Sequence, residues 1–294
     1  MTPAERQYAF QHAGLDRAEH LREDAAALDG LWPTATLLIL DDDGNAYFAG
    51  SEDAPEFLAG AATFSQRPDA ASFLGLDDAG DAWFVVPTQN VRELPAQKLD
   101  LRNAGVRWQA LPAAAFAQAR ALVHWQQRSR FCGACGGALM LERAGFCARC
   151  DGCGLEHYPR TDPAIIVAVS DGERLLLGRQ ASWPEKRWSV LAGFLEPGES
   201  LEQTVVREVM EEAGVRVHAC EYVASQPWPF PAALMLGFRA QALPQPAQAG
   251  AELEQARWFS AAELRAEVAA HEVLLSPRLS ISRFLIDDWL ARHS

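Results

Sequence analysis

Gly193-Phe-Leu-Glu-Pro-Gly-Glu-Ser-Leu-Glu-Gln-Thr-Val-Val-Arg-Glu-Val-Met-Glu-Glu-Ala-Gly-Val215 is the stretch on which the reading of this chain turns. No Pro or Gly interrupts it from Ser200 to Ala213, and Gly214 is a natural stop, so it reads as one short helix. On such a helix Glu208 and Glu212 are i,i+4 neighbours and Glu211 is i+3 from Glu208. Like charges packed on one face repel unless a cation lies between them. Carboxylate oxygens of this kind suit hard divalent cations such as Mg²⁺ and Mn²⁺.

A solvated acidic face is the ordinary explanation of a Glu cluster. Against it stands the entry to the helix, a turn holding Gly193, Pro197 and Gly198 directly after an apolar strand expected over Trp188 to Leu191. The stretch also matches the pattern G-x5-E-x7-R-E-U-x-E-E-x-G-U, with U aliphatic. Gly193, Glu199, Arg207, Glu208, Val209, Glu211, Glu212, Gly214 and Val215 fill its fixed positions. Seven specified letters at average usage recur by chance at roughly one position in 10⁸, so coincidence is excluded. The pattern is the Nudix box, and the chain resembles the Nudix hydrolases. That resemblance implies a pyrophosphate hydrolase acting on a nucleoside diphosphate linked to another group.

The composition is that of a folded enzyme: 294 residues, 49% hydrophobic, enough for one large or two smaller domains. No apolar run approaches the ~18 residues of a membrane span, and Met-Thr-Pro-Ala-Glu-Arg is followed by no apolar signal-peptide core. A soluble cytoplasmic protein with no membrane partner is expected. The net charge of −13 argues against general nucleic-acid affinity, which needs a basic surface. Any RNA contact must be local. Arg120, His124, Arg128 and Arg130 form the one candidate, and a solvated helix face is the preferred reading of them.

Five of six cysteines lie within a 22-residue window: Cys132, Cys135, Cys147, Cys150 and Cys153, with Cys220 apart. Clustered cysteines without a signal peptide point to metal rather than disulfides. Cys132 and Cys135 form one C-x2-C knuckle. Cys147/Cys150 and Cys150/Cys153 are both sterically possible as the second. Gly154 after Cys153, like Gly136 after Cys135, favours the latter, because a tight knuckle wants Gly there. A closed Cys₄ set is expected to hold one structural Zn²⁺, leaving Cys147 spare and Cys220 in the core. A redox dithiol is the weaker alternative, since the knuckles lie outside any βαβ pattern. Gly133, Gly136 and Gly137 do not form G-x-G-x-x-G, so a bound dinucleotide would be a substrate and not a hydride-transfer cofactor.

Residues 8–28 read as a helix. Two β-hairpins follow, 34–48 around the turn 41–45 and 72–86 around the turn 77–81, then an Ala-rich helix over 112–127. The expected division is 1–128 as a small mixed N-terminal domain, 129–160 as the zinc ribbon and 161–294 as the catalytic domain. In the last, strands are expected at 164–169, 175–177, 188–191, 221–225, 234–243 and 257–259, with a closing helix over 280–291. The fold class is α/β (α+β), and the resemblance implies a mixed-sheet α/β/α sandwich for the catalytic domain.

Ser225-Gln-Pro-Trp-Pro-Phe-Pro231 narrows the substrate. Its prolines favour an extended, rigid segment, and Trp228 and Phe230 offer planes for a base at about 1–3 kcal/mol per base. The segment resembles the S-Q-P-W-P-F-P-x-S array of the NADH pyrophosphatase branch, which also carries a Cys₄ ribbon followed by Tyr-Pro, here Tyr158-Pro159. The branch agrees with Cys132, Cys135, Cys150 and Cys153 as zinc ligands. One position departs from it: Ala233 stands where the array ends in Ser, which removes a polar contact of about 0.5–1.5 kcal/mol.

The resemblance implies hydrolysis of NAD(H) to AMP and nicotinamide mononucleotide, removal of NAD caps from RNA 5′ ends, and a homodimer. It implies Glu208, Glu211 and Glu212 as catalytic carboxylates. Mg²⁺ or Mn²⁺ would be held by Glu208, Glu212, the Ala192 carbonyl and Glu252, with Glu254 close enough to compete for the last role. Glu199 and Arg207 would be a structural pair. Substrate contacts would come from Tyr158, Phe194, Gln226, Pro227, Trp228, Pro229, Phe230, Pro231, Ala232, Ala233 and Ser282. The competing readings are an ADP-ribose or other dinucleotide hydrolase, and a zinc-ribbon RNA-binding regulator with an inactive Nudix domain.

The choice of knuckle has a direct consequence. Cys150→Ser should destabilise the protein and lower bound zinc, whereas Cys147→Ser should leave the zinc content unchanged. Equal zinc loss in both, measured by elemental analysis, would overturn the assignment.

Overall fold

Ile165, Val167 and Val169 alternate with Ile166 and Ala168 along one strand, and the two sets enter different cores. Successive side chains on a strand point to opposite faces, so a run apolar at every position must be covered on both sides. The computed structural model describes residues 8–10 and 14–293. Its contacts divide the chain into two units: residue 8 with 162–227 and 233–293, and residues 9–10 and 14–161 with 228–232.

The unit holding the N-terminal half contains α1 (Ala25–Leu31), β1 (Thr36–Leu40), β2 (Ala46–Ser51), β3 (Ala54–Glu56), β4 (Leu58–Ala59), α2 (Gly60–Thr63), β5 (Ser72–Leu76), β6 (Ala82–Pro87), β7 (Gln97–Leu99), α3 (Leu101–Arg107) and α4 (Ala110–Arg128). The sheet order is β3-β2-β1-β6-β5, with β1 and β6 parallel. Both expected hairpins form, β1 with β2 and β5 with β6. Their inward residues, among them Leu37, Ile39, Phe73, Phe84 and Val86, make its core.

The helix expected over 8–28 does not form in the described part of that range. A 3₁₀ turn at Glu19–Leu21 and α1, capped by Asp24, take its place. Residues 11–13 of that expectation lie outside the described residues. The reason is a competing tertiary bond: Asp16 exchanges both backbone hydrogen bonds with Leu76 at 2.8 Å. Gly75 permits this approach, because a Cβ there would collide with the Asp16 carbonyl. The same unit carries the ribbon, a three-stranded antiparallel sheet of β8 (Leu139–Glu142), β9 (Cys147–Cys150) and β10 (Glu156–His157).

The other unit holds β11 (Asp162–Ser170), β12 (Arg174–Arg179), β13 (Arg187–Trp188), β14 (Leu191–Phe194), α5 (Leu201–Ala213), β15 (Val217–Trp228), β16 (Ala233–Ala242), β17 (Gln255–Ser260), α6 (Ala261–Ala269), β18 (Leu274–Leu275) and α7 (Ile281–Arg292). The main sheet runs β15-β16-β11-β12-β17, with β14 on the first half of β11. It is mixed: β11 is parallel to β16 and antiparallel to β12 and β14. Val205, Val209 and Ala213 of α5 pack on the Ile165 face. Leu264 of α6 and Ile281, Leu285, Ile286 and Trp289 of α7 pack on the Ile166 face. This is the expected α/β/α sandwich.

The single strand expected over 188–191 is two. β13 pairs with β18, Ser189 bridges to Gly178, and only then does β14 join β11. Three successive partners hold the segment that leads to Gly193, which lies against Glu208 of α5. Among the described residues no helix is long and apolar enough to cross a membrane.

Gln226 ties the end of β15 to the start of α7. It is fully buried, its amide nitrogen donates to the Leu279 carbonyl at 2.9 Å, and its oxygen accepts from the Ile281 N–H at 2.8 Å. Gln226→Leu leaves both backbone groups without this partner and should cost about 1–3 kcal/mol. Denaturant unfolding checks it; a loss below about 0.5 kcal/mol would show that the tie does not hold the two elements together.

Candidate active site

Ser200 and Gln203 start α5, the helix that carries the glutamates, with a reciprocal cap. The Ser200 hydroxyl accepts from the Gln203 N–H at 3.3 Å, and the Gln203 side chain accepts from the Ser200 N–H at 2.7 Å. Gly214 ends it in the left-handed conformation, φ 64°. Beyond it, the Gln248 and Gly250 N–H groups donate to the Ala213 and Glu212 carbonyls at 2.9 and 2.8 Å. With both ends fixed, the register of the glutamates is fixed too.

Arg207 organises the turn before them. It grips Glu199 with two bonds, Nε to Oε1 at 2.6 Å and Nη2 to Oε2 at 2.8 Å. Its Nη2 also donates to the Phe194 carbonyl at 2.9 Å, and its Nη1 to Glu208 at 2.9 Å and Glu211 at 3.1 Å. The Arg207 guanidinium, aided by the Glu196 N–H and the Thr204 hydroxyl, holds the Glu199 carboxyl down at about 2. The expected Glu199–Arg207 pair is therefore present, and it is bidentate. The structure adds that the same guanidinium reaches two of the three helix carboxylates.

Glu212 is the anomaly. It is 5% exposed, and its Oε2 is buried with no hydrogen-bond partner. Burial, followed by the charge of Glu208, pushes its carboxyl up to about 8; a backbone bond from Ala192 opposes this and Glu252 adds to it. Burial also raises Glu208, with Glu211 and Glu252 adding to the shift against Arg207. A buried carboxylate oxygen without a partner is costly. A divalent cation offers the missing partner, and the all-oxygen donor set suits Mg²⁺ or Mn²⁺. Gly193 completes the fit: a Cβ there would overlap the Glu208 carboxylate, so only Gly lets that group lie against the strand.

Glu252 and Glu254 part company in the structure. Glu254 is ion-paired with Arg179 at 2.5 Å, whereas Glu252 acts electrostatically on both Glu208 and Glu212. Ala192 sits between Leu191 and Gly193 on β14, opposite Ile166. Phe194 is 58% exposed, with its ring available.

The remaining substrate-contact expectations are placed as follows. Gln226 and Ser282 are buried, the latter sharing a hydrogen bond with Ser189 at 2.7 Å, and Ala233 is buried at the start of β16. Pro227 and Pro231 are exposed, Ala232 is half-buried and Pro229 is buried. Trp228 and Phe230 pack together, centroids 4.9 Å apart. Tyr158 is exposed and its hydroxyl donates to Glu156.

In the ribbon, the ligating sulfurs of Cys132, Cys135, Cys150 and Cys153 all lie within 4.8 Å of one another. Gly136 and Gly154 take φ of 76° and 74°, the left-handed turns that the knuckles require. The Cys153 N–H donates toward Cys150 Sγ at 3.5 Å and helps hold that thiol down, while the Cys135 thiol, 3.4 Å from Cys150 Sγ, is pushed up by the cysteines around it. Four converging thiols fit a tetrahedral Zn²⁺. Cys147 is buried outside the cluster, and Cys220 is partly buried against the core. His157 was not anticipated: its Nε2 lies 3.4 Å from Cys132 Sγ. The clue available was its position just after the second knuckle.

Comparison with known proteins agrees with this layout. Residues 159–279 match the NUDIX domain, and 127–158 match the NADH pyrophosphatase zinc ribbon domain. A protein of Mycobacterium bovis (strain BCG / Pasteur 1173P2) named NAD-capped RNA hydrolase NudC is 38% identical over 299 residues, covering 96% of this chain and 94% of its own. A protein of the same name from Stutzerimonas stutzeri (strain A1501) is 45% identical over 174 residues, covering 58% and 59%. Among solved structures, a NUDIX hydrolase from Nitrosomonas europaea matches with a TM-score of 0.46 at 24% identity, over 55% of this chain and 91% of that one.

The raised Glu212 carboxyl sets a pH window. Between its ordinary value of 4.5 and about 8 the folded metal-free protein keeps a proton that the unfolded chain releases. Stability from this group is therefore lost as pH rises through that window. A divalent cation should raise the melting temperature more at the upper end of the window than at the lower. Glu212→Gln and Gly193→Ala should both lose the rise, and a pH-independent rise in the wild type would refute the account.

Proposed function

Since the chain belongs to the Nudix hydrolases, in the branch that carries the NADH pyrophosphatase zinc ribbon, we propose that it hydrolyses the pyrophosphate bond of NAD(H) to AMP and nicotinamide mononucleotide. Removal of NAD caps from RNA 5′ ends is the same cleavage on a longer substrate, and is part of the proposal. The observation that carries the hydrolytic reading is the buried, unpartnered Glu212 oxygen beside Glu208. The full-length relation to proteins named NAD-capped RNA hydrolase supports the substrate.

Glu208 and Glu212 are the ligands proposed for Mg²⁺ or Mn²⁺, with Glu252, the Ala192 carbonyl and a contribution from Glu211. A divalent cation held there supplies charge neutralisation at the pyrophosphate and acidifies water. Everything else falls to the chain's own groups. Arg207 holds the Glu199 loop, the Phe194 carbonyl and the Glu208 carboxylate in one frame. Gly193 keeps the strand close to that carboxylate. Glu212, whose carboxyl burial pushes up to about 8, is also proposed to assist in deprotonating the attacking water.

The exposed rings of Phe194 and Tyr158 and the Trp228–Phe230 pair are proposed to stack on the bases. Ser282 and Gln226, both buried and hydrogen-bonded, are kept in the proposal as further substrate-pocket residues. Structural zinc at the four cysteines, six free thiols suited to a reducing cytoplasm, and a C₂ homodimer complete the reading.

Purified protein with Mn²⁺ and an equimolar mixture of NADH, NAD⁺ and ADP-ribose tests it by product mass. AMP with nicotinamide mononucleotide should appear first. Faster loss of ADP-ribose would reject the substrate assignment. Glu212→Gln should lower turnover by at least ~10² with zinc retained; near-normal turnover would reject the role of that carboxylate.

A further inference from the structure

The Trp228–Phe230 tip is packed against two guanidiniums of its own unit. Arg102 of α3 has its Cζ 4.0 Å from the Phe230 ring centroid and 5.2 Å from that of Trp228. Arg120 of α4 lies 4.8 Å from the Phe230 centroid, and its Nη1 donates to the Pro229 carbonyl. Arg120 is half-buried, which corrects the expectation that it belongs to a solvated helix face. The β1–β2 turn makes room for it: Gly44 has φ 79°, and a Cβ there would come within 2.7 Å of Arg120 Nε.

We propose that Arg120 and Arg102 are positioning residues for nucleotide binding. They fix the planes of Trp228 and Phe230 in the orientation that stacks on a base. The inference rests on the reading of the tip as a base-binding element. Two rings on a connecting segment would otherwise pay rotamer entropy on binding, and preorganisation removes that cost. A guanidinium does this through its flat face against the ring and its N–H fork toward a carbonyl, a combination that an ammonium cannot supply. Packing two cations beside the rings is also favourable for a ligand that carries a negative diphosphate. Burial and the neighbouring Arg102 both lower the Arg120 pKa, the signature of like charges held together by the fold.

The test compares wild type, Arg120→Ala, Arg102→Ala, Gly44→Ala and the Gly44→Ala/Arg120→Ala double variant, each with zinc bound. Arg102 is exposed, so its replacement should not threaten folding. Gly44→Ala displaces the Arg120 head without removing its charge. Each single variant should raise KM for NADH on the order of tenfold, the scale of a lost cation–π contact, with kcat within about twofold. The dissociation constant for NADH without divalent metal, by calorimetry, should weaken in parallel. The double variant should add little to Arg120→Ala, because both act through one group. Unchanged KM in folded Arg102→Ala and Arg120→Ala, or a fall in kcat alone, overturns the inference. A wild type that neither binds nor hydrolyses NADH instead rejects the substrate reading, and this inference with it.

Discussion

Three glutamates pair with one arginine while a fourth goes without, and the site depends on that imbalance. Arg207 pairs with Glu199, Glu208 and Glu211, while Glu212 is left with a buried oxygen that none of the described residues satisfies. A single guanidinium can anchor the loop and restrain two helix carboxylates, but it cannot neutralise them all. Ionising Glu212 between strand and helix is therefore expensive, and its carboxyl is pushed up to about 8 by burial and by the charge of Glu208. A divalent cation would supply the partner that this oxygen lacks.

The backbone is built to maintain this crowding. A capping box fixes one end of the helix and a left-handed Gly the other. The Gly250 N–H on the Glu212 carbonyl pins the last turn, and the missing side chain at Gly193 lets the Glu208 carboxylate meet the strand. The sandwich contributes rigidity by burying the opposite face of the helix, Val205, Val209 and Ala213, against the Ile165 side of the sheet. The ribbon applies the same logic with softer donors: four thiols brought within mutual reach by two turns that only Gly adopts easily, with His157 beside Cys132.

Most of the local structure was legible in advance. The helix from Leu201 to Ala213, both N-terminal hairpins and the apolar β11 follow from periodicity, caps and turn residues, whose energetics are settled within a few positions along the chain. The second knuckle was legible from Gly154. The errors share one cause, a non-local partner outweighing a local preference. Asp16 pairs with Leu76 and interrupts the helix expected over 8–28. Trp188 pairs with Leu275 and Leu191 with Val167, which splits one expected strand into two. Arg120 reads as a solvated residue until the Pro229 carbonyl and the Phe230 ring are brought to it.

The sequence by itself determined the chemistry available: which carboxylates share a helix face, which cysteines form knuckles, and which family the spacing resembles. These are short-range properties, encoded in i,i+3 and i,i+4 spacing and in the conformational freedom of particular glycines. Only the tertiary structure decided the condition of those groups. It separated Glu252, which acts on the buried pair, from Glu254, which is held by Arg179. It pushed the Glu212 carboxyl up, and it buried Gln226 and Ser282 among hydrogen-bond partners. Burial and electrostatic coupling depend on what the rest of the chain brings within a few ångströms, and the order of residues does not specify those distances until the chain has folded.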